Sequence, residues 1–185
     1  MAVVFAVALL VLAAAVVVLF AMLGELASRI PDGGPATVSF RDVEGARLGH
    51  RPVAWSADLP APDLTRPTVL LVLSPVCSSC ADIAEQLPDD PAELGWPELG
   101  VVVSAGAVRN GEDFVARRGI GRYPHLIDEG GQWVGEEFGV RLSPTALVFT
   151  GGVLTAALLF NDIPALRARV SPAQPDRQQP ERESV

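Results

Sequence analysis

Thr68-Val69-Leu70-Leu71-Val72-Leu73-Ser74-Pro75-Val76-Cys77-Ser78-Ser79-Cys80 is the stretch that decides the fold. Residues 68–73 form a continuous apolar run of strand length, the pattern of a strand buried on both faces of a sheet. Ser74-Pro75-Val76 ends the run and leads into a Cys-x-x-Cys pair. Residues 81–87 then have helical composition, with apolar positions at 80, 83, 84 and 87, until Pro88 and Pro91 stop the helix. A Cys pair between a buried strand and a helix has a specific chemistry. The first sulfur lies at the helix N-terminus, where free N–H groups and the helix dipole favour negative charge. That favours thiolate, the nucleophilic form. The second sulfur is one turn on, close enough to attack a mixed disulfide and release its partner. Cys77 is therefore read as the nucleophile and Cys80 as the resolving thiol. Val76, Ser78 and Ser79 are their immediate neighbours.

Working outward, Val101-Val102-Val103-Ser104 reads as a second buried strand. A helix is expected over 112–118 with Phe114 and Val115 inward, and a short strand over 123–127. Asp128-Glu129-Gly130-Gly131 reads as a turn, and 133–138 as a short helix stopped by Gly139. Strands over 145–149 and 153–160 flank Thr150-Gly151-Gly152, a hairpin signal. Asp162 is placed to cap a last helix reaching about residue 170, with Pro164 in its first turn. Upstream, Val38, Phe40 and Val43 suggest a strand, Glu44-Gly45 a turn, and residues 46–48 a return strand. The expected fold is α/β: a mixed β-sheet flanked by helices, preceded by an extra N-terminal hairpin.

Both ends of the chain differ from this middle. Residues 1–23 contain no charged or strongly polar side chain, and as a helix they would span roughly 34 Å, enough for a bilayer core of about 30 Å. No basic stretch precedes the segment and no small-x-small cleavage site follows it, so an uncleaved anchor is expected rather than a removed signal. Residues 1–24 are thus read as a single transmembrane helix in the lipid bilayer, 25–37 as a linker broken by Pro31-Asp32-Gly33-Gly34-Pro35, and 38–170 as the folded domain. Residues 171–185, rich in Pro, Gln, Arg and Glu, are expected to be disordered. The few Arg residues after the anchor favour a cytoplasmic domain, whereas the Cys pair favours a compartment where disulfides persist. The cysteine argument decides the expectation: N-terminus cytoplasmic, domain extracytoplasmic, in the cell membrane.

Composition excludes several functions. All 14 basic residues are Arg, against 22 acidic residues, for a net charge of -8. No basic face for nucleic acid is expected, and no catalytic or P-loop Lys exists. Cys77 and Cys80 are the only cysteines, so a disulfide-stapled scaffold is excluded. A structural zinc site would have to recruit both Cys together with the distant, unpaired His50 and His125, and no metal is expected. Trp55, Trp96 and Trp133 are read as core or loop anchors.

Phe138-Gly139-Val140-Arg141-Leu142-Ser143-Pro144-Thr145, running into Ala146-Leu147-Val148-Phe149, resembles the cis-proline segment of thioredoxins. Together with the Cys pair, it makes residues 38–160 similar to the thioredoxin-like superfamily, and to its membrane-anchored TlpA- and ResA-type branch in particular. Residues 74–80 most resemble the MauD-like thiol–disulfide proteins of methylamine utilisation. The resemblance implies a cis Pro144 beside the reactive disulfide, with Ser143 and Thr145 flanking a groove that pairs with substrate backbone. It implies a membrane-tethered thiol–disulfide oxidoreductase, a reductase or isomerase acting on disulfides of exported or membrane proteins. No cofactor is implied beyond the redox-active Cys77–Cys80 disulfide. The implied partners are protein dithiols and disulfides, with an electron donor in the membrane for the Cys pair.

The chain also departs from that pattern. Thioredoxins place Trp before the first Cys, where this chain has Val76, and many carry a buried acid near the position of Leu71. Asp82 and Glu85 follow the motif where a basic residue is common; they are read first as a solvated helix face, although negative charge there partly opposes thiolate formation. Those departures keep a second expectation open: an assembly factor or maturation chaperone that uses the same groove without redox turnover.

Overall fold

The computed structural model describes Phe5, Leu12 and Val16, and residues 40–96 and 98–170. The chain divides into two compact units, Met1–Thr37 and Val38–Val185. In the first, the three described residues are helical and exposed. No helix among the described residues is long and apolar enough to cross a membrane. The expected anchor, linker and tail fall almost wholly outside the described residues.

In the second unit the described residues form a six-stranded sheet of order β1-β6-β5-β2-β3-β4. The strands are β1 (Arg41–Asp42), β2 (Thr68–Leu73), β3 (Glu98–Ala105), β4 (His125–Glu129), β5 (Thr145–Thr150) and β6 (Val153–Leu159). The helices are α1 (Ser78–Glu85), α2 (Val108–Arg117), α3 (Gln132–Phe138) and α4 (Ile163–Val170). Short 3-10 turns occur at Pro91–Leu94 and Ile120–Arg122. β2 pairs parallel with β3 on one side and antiparallel with β5 on the other, so it is an interior strand, and all its residues are buried. This is the outcome expected of an uninterrupted apolar run.

Alternation along β2 divides the core in two. Val69, Leu71 and Leu73 face one layer, with Ile83 and Ala84 of α1, Phe114 and Val115 of α2, and Ile163 and Leu166 of α4. Leu70 and Val72 face the other, with Val134 and Phe138 of α3 and with Val43 and Leu59 of the preceding loop. Burying each such side chain contributes roughly 1.5–3 kcal/mol. On the second face Trp55, Trp133, Phe138 and Phe149 meet edge to face, with centroids of Trp55 and Phe149 5.4 Å apart. Trp133 Nε1 donates to the carbonyl of Ala54 at 2.9 Å, and Trp96 is buried in the first layer, so the tryptophans act as anchors. β5 and β6 are joined by Gly151 and Gly152, both at positive φ (61° and 76°), the mirror-image turn that matches strand twist.

The expected N-terminal hairpin is not formed. Arg41 and Asp42 pair with Leu159 and Leu158, and Val43 N–H donates to Ala157 O. The chain then leaves the sheet through Gly45 at φ 83° and returns to the same strand, where Gly49 N–H donates to Leu154 O and Leu154 N–H to His50 O. Both arms therefore use the edge of β6, and residues 46–48 have no strand partner. Arg47 N–H instead donates to Phe138 O. Two further boundaries move. Asp128 and Glu129 belong to β4 rather than to a turn, and α2 begins at Val108. Buried Asp128 accepts from Trp133 N–H and Val134 N–H, both at 3.0 Å, and so opens α3.

Candidate functional site

The chain leaves β2 at its buried end, turns through Ser74-Pro75-Val76, and enters α1 with Cys77 as the N-cap residue. Extended backbone at Cys77 (φ -92°, ψ 116°) aims its side chain back over the first helical turn. Cys80 N–H donates to Cys77 Sγ at 3.2 Å. This is the N-cap hydrogen bond of a Ser or Asp, made here by sulfur. Cys77 and Cys80 are joined in a disulfide, with Cα atoms 5.3 Å apart.

The two sulfurs differ in access. Cys77 is partly exposed, whereas Cys80 is fully buried (0 % exposed) beneath α1. Ser79 Oγ lies 3.4 Å from Cys77 Sγ, and Ser78 points into solvent. Val76 is 94 % exposed. Leu71 is fully buried in the apolar layer below, and Glu85 pairs with Arg118 at the surface.

The loop before β5 approaches the same sulfur from the other side. The Ser143-Pro144 peptide is cis, and the Ser143 carbonyl oxygen is 3.5 Å from Cys77 Sγ. Pro144 and Thr145 are buried. The Thr145 hydroxyl donates to Leu142 O at 2.7 Å and so ties the loop together across Pro144. Of the residues singled out from sequence, Cys77, Cys80, Ser79 and Ser143 therefore converge, while Thr145 ties the loop together through Leu142.

Sequence reasoning missed the cavity beside them. It has a volume of about 400 Å³ and is lined by Ser74, Val76, Ser104, Gly130, Arg141 and Ser143, among others. It sits at the C-terminal ends of the parallel strands β2, β3 and β4, the usual place for a ligand crevice in an open α/β sheet. That rule, applied to Ser104 at the end of a predicted strand, was the available signal. Gly131 leaves room for Ser104, since a Cβ there would lie 2.8 Å from Ser104 Oγ. Among the described residues, no group of three or more His, Cys, Asp or Glu side chains could hold a metal ion. His50 pairs with Glu137 at 3.2 Å, and His125 Nδ1 lies 2.9 Å from Tyr123 O.

No protein-family model matches the chain, and no curated protein is detectably similar to it. Solved structures are. A DsbF homologue from Corynebacterium diphtheriae is 18 % identical, with 75 % of this chain and 95 % of that chain covered and a TM-score of 0.51. A secreted disulfide oxidoreductase of Mycobacterium tuberculosis, homologous to DsbE of E. coli, is 20 % identical over 58 % of this chain and 82 % of that chain, with a TM-score of 0.47. A secreted thiol-disulfide isomerase from Corynebacterium glutamicum is 14 % identical over 75 % of this chain and 93 % of that chain, with a TM-score of 0.48. The likeness to the DsbF homologue, together with the strand–Cys-x-x-Cys–helix unit, gives the chain a mixed α/β, thioredoxin-like fold with a Cys77–Cys80 disulfide at its expected place.

Proposed function

We propose that this chain is a membrane-tethered thiol–disulfide oxidoreductase that exchanges the Cys77–Cys80 disulfide with disulfides of exported or membrane proteins. The observation that carries the reading is the asymmetry of the pair: an accessible sulfur capping a helix and a buried sulfur one turn later. In the reducing direction, Cys77 as thiolate attacks one sulfur of a partner disulfide. A Cys77–partner bond forms, the partner's S–S bond breaks, and the expelled thiolate takes up a proton. Cys80, losing its proton, then attacks Cys77 Sγ. The Cys77–Cys80 bond forms, the mixed disulfide breaks, and the second partner thiolate is protonated. Two electrons and two protons pass to the partner, and the chain is left as the disulfide. The steps are reversible, and no cofactor is required.

Hydrogen bonding from Cys80 N–H and the dipole of α1 favour the Cys77 thiolate over the thiol. The apolar composition of residues 1–23 supports tethering, with the domain on the side where disulfides persist and a membrane electron donor returning the pair to its dithiol form. The likeness of residues 74–80 to MauD-like proteins supports an exported, disulfide-bearing partner.

Fully buried Leu71, standing where many thioredoxins carry an acid, favours a second reading, an assembly factor that binds without turnover. One experiment separates the two. The purified full-length chain is assayed for insulin disulfide reduction with dithiothreitol as electron source. The oxidoreductase reading expects catalysis that Cys77→Ser abolishes. Activity unchanged in that variant rejects it, and an inactive wild type that still binds unfolded disulfide-containing protein supports the assembly factor.

A further inference from the structure

The cavity beside Cys77 has a chemical character of its own. Its rim is apolar: Val76 is 94 % exposed and Leu142 53 % exposed, and both line it. Its wall is polar: Ser74, Ser104, Ser143 and Arg141 line it as well. Ser74 is only 8 % exposed, its hydroxyl pairs with no group of the described residues, and its carbonyl accepts from Cys77 N–H at 3.2 Å. The hydroxyl therefore opens onto the cavity, where water or a ligand group that enters can pair with it.

Among the described residues, no carboxylate pairs with Arg141. Its guanidinium lies along α3 over Gly135, where a Cβ would sit 3.8 Å from Cζ, Nε and Nη2. The side chain is exposed and its charge is open to solvent and to anything that enters the cavity. Behind the cavity, Ala105 and Gly106 lead into α2, whose N-cap Ala107 offers no side-chain hydrogen bond to the first N–H groups. An open hydroxyl, a cation with no carboxylate partner among the described residues and the positive end of a helix dipole all favour an anion.

Resting on the exchange reaction proposed above, we infer that the cavity selects partner segments carrying an acidic side chain within two residues of the cysteine under attack. The partner backbone lies across Val76 and Leu142, its cysteine faces Cys77, and the neighbouring carboxylate accepts from Arg141 and from the Ser74 hydroxyl. Arg141 is exposed, so the preference it creates is modest, about fivefold in rate, and weakens with added salt.

The test uses the full-length chain, reduced and freed of reductant. It is offered three disulfide-bonded peptides identical except for Glu, Gln or Lys beside the cysteine, with thiol release followed by mass spectrometry. The expected order is Glu, then Gln, then Lys. Arg141→Gln flattens the series, Arg141→Lys keeps its order, and Ser74→Ala narrows the gap between Glu and Gln. Equal rates for all three peptides with the wild type overturn the inference and leave the exchange reading standing. A Glu preference that survives Arg141→Gln also overturns it. Failure of every peptide to react rejects the exchange reading, and the inference with it.

Discussion

Cys77 Sγ lies 3.5 Å from the carbonyl oxygen of Ser143, a residue 66 positions later in the chain. Two elements with no local relationship thereby meet at one atom: the N-terminus of α1, which donates Cys80 N–H to that sulfur, and the loop that opens β5. The meeting is enforced by the sheet, because β2 and β5 are hydrogen-bonded neighbours, with Val72 opposite Thr145. The site's geometry therefore depends on the packing of β2 as much as on the cysteines.

Leu71 tests that dependence. It is fully buried in the layer that also holds Cys80, Ile83 and Phe114. Leu71→Ala removes buried methyl groups and leaves a cavity, at a cost of about 2–5 kcal/mol. Urea denaturation followed by tryptophan fluorescence should show the midpoint falling with little change in slope. A cost below about 1 kcal/mol would mean that this layer is not tightly packed.

Gly111 sets two effects against each other. Ala is the better helix former by about 1 kcal/mol, but a Cβ at this position of α2 would lie 2.6 Å from Ile127 Cγ2 of β4. Ile127 is β-branched and held in a strand, so it yields poorly. Overpacking costs about 1–3 kcal/mol, so Gly111→Ala should be net destabilising, by about 1 kcal/mol. Thermal melts of the two proteins decide it, and a stabilised variant would show that α2 has room to move away from the sheet.

Glu137 gives a pH dependence. Burial pushes its carboxyl up, but Val53 N–H, the His50 ring and Ala54 N–H together hold it below its ordinary value of 4.5. The carboxylate is therefore stabilised by folding. Its contribution is fully present above about pH 4.5 and is lost as pH falls through that value toward the lower folded one. Glu137→Gln, which replaces charge-assisted hydrogen bonds that pin the loop at residues 50–54, should cost about 1–2 kcal/mol at pH 7. Its stability should also decline less steeply between pH 5 and pH 3 than that of the wild type. Parallel acid limbs for the two proteins would contradict this.

Much of this organisation was legible in the chain. Residues 68–73 announced an interior strand because apolar side chains on both faces leave no other place for it, and Cys77 followed as the cap of the next helix. The hairpin turn at Gly151 and Gly152 was equally clear, since two consecutive positive φ angles suit glycine. The path of the first strand is not legible, because Glu44-Gly45 reports only that the chain turns. Nothing local reveals that the arms on either side both pair with β6. The start of α2 was missed because Ala107 provides no capping signal. The cavity was invisible for a third reason: Ser74, Ser104 and Arg141 come from separate elements and meet only when the parallel strands align.

The division of labour between the two sulfurs is tested most directly by trapping. Cys80→Ser and Cys77→Ser variants of the full-length chain are each incubated with a disulfide-bonded protein substrate, and covalent adducts are mapped by non-reducing gel and mass spectrometry. The account predicts an adduct through Cys77 in the Cys80→Ser protein, and none through buried Cys80 in the Cys77→Ser protein. An adduct through Cys80, or no adduct in either variant, would contradict it.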